Sequence, residues 1–359
     1  MPHLFDPLTI KSITLKNRIG VSPMCQYSAE NGHANDWHLV HQGTRAVGGA
    51  ALIITEATAV TAEGRITPGC MGLWQDSQIE PLARITNFLK QHGVVPGIQI
   101  GHAGRKASSA LPWDGGAHLN DSQGDWDIVG PTDVPFGGSQ MKKPTPLDKA
   151  GIGTIVAAFR DTARRAKEAG YEWLEIHGAH GYLINSFLSP LTNTRSDEYG
   201  GSLPNRARML LDIIAAVKTE WPDNLPLSVR LSATDWVDGG WTVDDSVELA
   251  KLLKSAGVDL VDCSSGGMRA EDGAVYSQAA GAGYQVPLAE KVRREAGVLT
   301  AAVGMITEPM QADQIIRNGQ ADMVYLAREM LRNPYWPIEA ARQVHKKDAV
   351  KLPVQYARA

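Results

Sequence analysis

Cysteine is scarce: Cys25, Cys70 and Cys263 are the only three in 359 residues. They are far apart and odd in number, so they imply neither a disulfide framework nor the closely spaced ligands of an iron–sulfur cluster. That usage fits a reducing compartment, and a cytoplasmic protein is expected. Long apolar runs are missing too. No stretch reaches the roughly 18 apolar residues of a membrane span, and the opening MPHLFDPLTIKS lacks the charged start and apolar run of a secretory signal. Neither sign of charge dominates. The 35 basic and 39 acidic residues are mixed along the chain for a net charge of −4, with no basic stripe to hold nucleic acid. No GxGxxG follows a strand-like segment, which argues against a Rossmann nucleotide domain.

What is present is alternation. Short runs rich in Val, Ile and Leu alternate with longer segments of helical period, eight times over. The strand candidates are Arg18–Pro23, Ala51–Ala57, Val94–Gly101, Trp173–His177, Leu225–Ser232, Val258–Ser264, Val298–Val303 and Met323–Ala327. Continuous apolar runs suit parallel strands covered by helices. Thr154–Ala169, Pro204–Trp221 and Asp244–Ala256 read as amphipathic helices. Eight β-then-α units predict an α/β fold, a single (β/α)8 TIM barrel spanning 1–359, in preference to a doubly wound sheet. Residues 103–147 are too long and aperiodic for an ordinary connection and predict a capping excursion after the third strand, with a short hairpin near Asp127–Val134. Its Trp113 and Trp126 are expected near the site mouth.

Barrel sites are built at the carboxyl ends of the strands, from the side chains of inward parity. In GIQIGH the two isoleucines face the helices and Gln99 faces inward between glycines. In LSVRLS, Leu227, Val229 and Leu231 face outward and Arg230 inward. In WLEIH, Glu175 and His177 share the inward face. An inward guanidinium must meet an anion or a buried carboxylate. An ion pair with Glu56 or Glu175 satisfies it, and so does a flavin, whose ring edge the Gln99 amide also matches. Gly304 and Arg328, after the seventh and eighth strands, stand where such barrels bind phosphate. HGAHGY, residues 177–182, sets two imidazoles and a phenol where they can hold a carbonyl oxygen and deliver a proton. A zinc site completed by Glu175 or Asp235 is the rival reading of that segment, but no zinc signature accompanies it and no metal is expected.

SPMCQY (residues 22–27), EATAV (56–60), GIQIGHAGRK, HGAHGY, LSPLTNTRSDEYGGSLPNR, Arg230, VGMI and the closing VQYARA occur in this order. Together they resemble the Old Yellow Enzyme family over nearly the whole chain, in particular its bacterial subgroup with a Cys in the first-strand motif. The resemblance implies non-covalent FMN, lined by Ser22, Pro23, Met24 and Cys25, with Cys25 tuning its potential. Ala57, Gln99 and Arg230 would be further flavin contacts, and Gly304, Ala327 and Arg328 would hold the phosphate end. Ala327 departs from the Gly usual in the family. Tyr27, His177 and His180 would contact substrate, and Tyr182 would donate a proton. The implied activity is reduction of activated alkenes, such as α,β-unsaturated carbonyl and related nitro compounds, with NADPH as donor. Arg358, in the tail 350–359, resembles an arginine this subgroup inserts into a neighbouring subunit, which implies a homodimer or homotetramer. A metal-assisted hydrolase and a non-catalytic ligand-binding barrel are the competing functions.

Overall fold

The computed structural model describes residues 1–273, 280–356 and 358. Eight strands close a barrel: β1 (Ile19–Val21), β2 (Leu52–Ala59), β3 (Val95–Gly101), β4 (Trp173–Gly178), β5 (Leu227–Ser232), β6 (Leu260–Ser264), β7 (Leu299–Val303) and β8 (Met323–Leu326). Each pairs in parallel with its chain neighbour, and β8 pairs with β1 to complete the ring. The helices that return the chain are α1 (Asp36–Val47), α2 (Ile79–Gln91), α3 (Lys149–Glu168), α4 (Leu183–Leu188), α5 (Leu203–Val217), α6 (Val243–Ser255), α7 (Val286–Ala296), α8 (Pro309–Arg317), α9 (Arg328–Arg332) and α10 (Trp336–Gln343). The expected TIM barrel is the fold observed.

Two apolar layers set the register. Ile98, Ile100, Leu174, Ile176, Leu227, Val229, Leu231, Val261 and Val324 face outward and pack with the helices in one cluster. A slip of one residue in β5 would turn Leu227, Val229 and Leu231 inward and drive Arg230 among the helices. Each apolar side chain so lost forfeits about 1.5–3 kcal/mol of burial, so the outer layer is what aims Arg230 inward. Inside, Leu52, Ile54, Trp173, Leu260, Ala301, Val303, Met323 and Tyr325 form a second cluster, with Ile10 and Leu15 of an N-terminal hairpin closing its floor. Gly20 is required there: a Cβ on it would stand 2.6 Å from the Tyr325 ring. The interior thus grades from apolar at the amino ends to polar at the carboxyl ends.

The excursion at 103–147 leaves β3 as expected, but the hairpin expected near Asp127–Val134 is not formed there. Val129–Gly130 pairs in parallel with Thr145–Pro146. The segment is pinned by long-range bonds. Arg195 Nη1 donates to Pro131 O at 2.9 Å and Leu147 O at 2.6 Å, and Thr132 Oγ1 donates to Thr192 O at 2.6 Å. Helix α3 begins five residues before the expected Thr154, because Asp148 caps it by accepting from Gly151 N–H at 2.7 Å.

Candidate active site

The polar layer begins on β3 and β4. Gln99 Nε2 donates to Glu175 Oε1 at 2.8 Å, and Ser228 Oγ donates to Glu175 Oε2 at 3.2 Å. The indole of Trp173 donates to Ser228 Oγ at 2.8 Å, which ties this layer to the floor. Burial holds the Glu175 carboxyl up at about 8, with Asp262 adding to the rise and Arg230 opposing it. Arg230 meets neither carboxylate that the sequence offered as a partner. Its Nε lies 3.1 Å from Oδ2 of Asp262, directly across on β6, and its Nη1 donates to Ser22 Oγ at 3.1 Å. Asp262 is wholly buried and neither of its oxygens accepts a hydrogen bond among the described residues. Burial raises its carboxyl to about 6, against the pull of Arg230.

HGAHGY forms the roof. His177 Nδ1 accepts from Ala179 N–H at 3.3 Å, so a neutral ring carries its proton on Nε2. Burial, with Arg230 and Lys106 close by, holds both His177 and His180 well below the usual imidazole range. They are neutral donors at pH 7. His180 stands in the left-handed region, at φ 61°, where an L-residue is strained. Its backbone N–H donates to Ser232 Oγ at 2.9 Å, and its Nε2 lies 2.7 Å from Ser264 Oγ. The rings of His180 and Tyr182 stand edge-on to His177, with centroids 5.3 and 4.9 Å away. Burial keeps the Tyr182 phenol well above its ordinary value, so it stays protonated. Lys106 comes up from the excursion: its Nζ donates to His180 O at 3.0 Å and sits 5.1 Å from the Tyr182 ring centroid. Burial, reinforced by Arg105, lowers this ammonium to about 7.

Cys25 is half-buried, and burial chiefly raises its thiol, with Glu56 adding to the rise. It is a thiol at neutral pH, not a thiolate nucleophile. Tyr27, at φ 53°, shares a side-chain hydrogen bond with Cys25, and Trp113 of the excursion meets its ring edge-on at 6.0 Å. Trp126 lies instead against Arg65, which stands 5.1 Å from its ring, and donates to Glu63 O at 2.8 Å. Ala57 and His177 line a small recess beside Tyr182.

A cavity of about 380 Å³ opens between β7 and β8. Gly304, Ala327, Arg328 and Arg332 line its outer end, and Arg230, His180 and Tyr325 its inner end. Gly304 has φ 114°, and a Cβ on it would stand 2.6 Å from Gln285 Nε2. Ala327 has φ −104°, so its departure from Gly places no side chain in the left-handed region. The residues read from strand parity therefore converge. The tail does not join them within one chain: Arg358 is exposed, and its neighbours 357 and 359 lie outside the described residues.

Asp262, Lys106, Ser264 and Tyr325 were missed. Parity on β6 was enough to find Asp262 and Ser264, since both alternate with outward Val261 and Cys263. Lys106 carried no such signal. Of the carboxyls in the metal reading, Glu175 accepts from Gln99 and Ser228, and Asp235 accepts through Oδ2 from Ser189 Oγ at 2.7 Å and Trp241 N–H at 2.8 Å.

The chain matches the NADH:flavin oxidoreductase / NADH oxidase family over residues 3–347. It is 49% identical over 357 residues to an NADPH dehydrogenase of Geobacillus sp. (strain WCH70), covering 99% of this chain and 98% of that protein. It is 46% identical over 361 residues to an NADPH dehydrogenase of Listeria monocytogenes serotype 4a (strain HCC23), covering 100% and 99%. Among solved structures, morphinone reductase in complex with tetrahydroNAD shares the fold, with a TM-score of 0.80 at 24% identity over 98% of this chain and 93% of that one. The family resemblance carried by the motifs therefore stands, and the chain belongs to the NADH:flavin oxidoreductase / NADH oxidase family, as an FMN-dependent oxidoreductase.

Proposed function

We propose that this oxidoreductase takes its hydride from NADPH and reduces the C=C bond of α,β-unsaturated carbonyl and related nitro compounds. The residues present fit FMN. The cavity offers guanidinium groups and an open Gly304 backbone at one end, and the buried Arg230 at the other, whose Nε donates no hydrogen bond among the described residues. Gly304, Ala327 and Arg328 would hold the phosphate. Ser22, Pro23, Met24, Cys25, Ala57, Gln99 and Arg230 would line the ring without a covalent link. Bound there, FMN would supply two-electron hydride chemistry between NADPH and the alkene.

The observation that carries the reading is the convergence of His177, His180 and Tyr182 above inward Arg230. Two neutral imidazoles donate to the substrate's electron-withdrawing oxygen and stabilise the charge that develops on it. Tyr182, still protonated, gives the proton that the α-carbon needs. Tyr27 bounds the substrate pocket. Arg358 completes it from a neighbouring subunit of a homodimer or homotetramer, in a cytoplasmic enzyme. Replacing both histidines by Ala is expected to leave FMN bound and to cut alkene turnover by on the order of 10²–10³. Flavin absorbance and the rate with NADPH and 2-cyclohexenone measure this. Wild-type turnover in the double variant refutes the reading.

A further inference from the structure

We propose that Glu56 is a positioning residue of this site: from the middle of β2 it holds the backbone of the segment that carries Cys25 and Tyr27. The proposal rests on the functional reading above, which gives those two side chains their roles. Glu56 is 4% exposed and lines neither the recess beside Tyr182 nor the cavity between β7 and β8. Its Oε2 accepts from Gln26 N–H at 2.9 Å, and the backbone N–H of Tyr27 also donates to its carboxyl. The segment so held is strained. Tyr27 is left-handed at φ 53°, a conformation that persists only where the surroundings enforce it. Strand β2 is irregular at this point, its register with β3 shifting between Thr55 and Thr58. Thr58 Oγ1 closes back on Glu56 O at 2.7 Å, which fixes the carboxyl's own backbone.

His38 of α1 stands beside the carboxyl: its Nε2 lies 3.5 Å from Glu56 Oε1 without hydrogen-bonding to it, while its Nδ1 packs on Asn35. Burial lowers this imidazole to about 4, so it is neutral at pH 7. The other titratable groups acting with Glu56 are Cys25 and Tyr27 of the held segment, Cys70 of the β2–α2 connection, and Tyr171 before β4. None of these is a cation, and burial raises the Glu56 carboxyl to about 8. Near pH 7 it is a neutral acid that still accepts at Oε2. Above pH 8 it is a carboxylate, and the donors around it are held more tightly.

The test uses the FMN-loaded, full-length chain with NADPH and 2-cyclohexenone between pH 6.5 and 9. Glu56→Ala is expected to raise the KM for the alkene about tenfold, with a smaller effect on kcat, because two backbone donors lose their buried acceptor. Glu56→Gln mimics the neutral acid. It should lie within about twofold of wild type at pH 7 and lack the wild-type change in KM near pH 8. In a Tyr27→Phe background, Glu56→Ala should add less than about twofold, since both act through one side chain. A Glu56→Gln profile that follows wild type across pH 8, or effects of Glu56→Ala and Tyr27→Phe that multiply, overturns the proposal. A Tyr27→Phe variant with wild-type KM overturns the placement of Tyr27 in the site, and the proposal with it. If Glu56→Ala fails to retain FMN, the Glu56→Gln profile decides alone.

Discussion

Asp262 and Arg230 face each other across β6 and β5, and their opposition sets how much positive charge the barrel presents to its cofactor. Reduced flavin carries negative charge near N1, which a guanidinium stabilises. Arg230→Ala is therefore expected to weaken FMN retention and to lower its reduction potential. Asp262→Asn keeps the shape and removes the opposing charge, so it should raise the potential. The measurement belongs above pH 7, where Asp262, held up at about 6, is ionised. For a two-electron couple, about 30 mV corresponds to ~1.4 kcal/mol, a modest fraction of what a buried charge pair can exert. Potentials that move in the same direction in both variants, or in neither, remove these two residues from the tuning of the flavin. This arrangement was half legible in the sequence. Parity placed Arg230 inward and demanded an anion. The choice of Asp262 over Glu175 is one of register between strands: both β4 and β6 flank β5, but Asp262 stands opposite Arg230 while Glu175 stands opposite Ser228, one inward layer lower.

Among the elements, those with strong local patterns were the most legible. Outward Leu227, Val229 and Leu231 alternate with inward Ser228 and Arg230, and β5 follows them. Element ends were misread where a single interaction decides them. The α5 segment stops at Val217, and Trp221 beyond it turns its indole to Pro226 O at 3.1 Å. The excursion was legible as a cap but not in its course, because its anchors, such as Arg195 on Pro131 and Leu147, are remote in sequence. The C-terminal tail is the element whose role depends on a second subunit. Tyr356 stays near the body of the chain, its ring 6.4 Å from that of Tyr335 after β8, while Arg358 is exposed. Deleting residues 358–359 removes little buried surface, so stability should hardly change. A guanidinium reaching a neighbour's pocket would bind ground and transition states alike, so the loss should appear in KM with kcat nearly unchanged. Steady-state kinetics beside light scattering tests this. Unchanged KM, or a monomeric full-length enzyme, defeats the shared-site reading.

At the scale of the whole molecule, the polar interior leaves a signature in stability against pH. Six histidines, His38, His41, His102, His118, His177 and His180, are held below the ordinary imidazole value, each chiefly by burial. Their folded values lie below their unfolded ones. What they contribute is fully present above an unfolded value of about 6.5 and is lost as pH falls, because the unfolded chain then binds protons that the folded chain refuses. Glu56 and Glu175, raised to about 8, and Asp262, raised to about 6, act in the opposite sense. Their folded forms keep protons that the unfolded chain has released, so stability declines as pH rises toward 8. Between about pH 4.5 and 6.5 the two groups oppose each other, and six imidazoles outweigh the raised carboxyls, to which Asp235, also raised by burial, belongs. Above about pH 7 the imidazole contribution fades. The two Glu carboxyls, joined above an unfolded thiol value of about 8.5 by the raised thiols of Cys25, Cys70 and Cys263, are then opposed by Lys106, lowered to about 7, and Lys16, lowered to about 8, whose protons the unfolded chain still binds. Further down, Asp197, held below its usual value chiefly by its hydrogen bond to Arg195, adds to the acid loss as it is protonated. The expected result is a melting temperature with a steep acid limb below about pH 7 and little net change from pH 7 to 9, where the opposing groups nearly cancel. Thermal unfolding of the FMN-loaded chain from pH 5 to 9, at fixed protein and flavin concentration, measures it. Glu175→Gln removes one opposing carboxyl, so it should steepen the acid limb and make the melting temperature rise relative to wild type between pH 5 and 8. A Glu175→Gln variant whose melting temperature runs parallel to wild type from pH 5 to 8 would mean that Glu175 is ionised at neutral pH, and the charge balance around Arg230 would have to be redrawn.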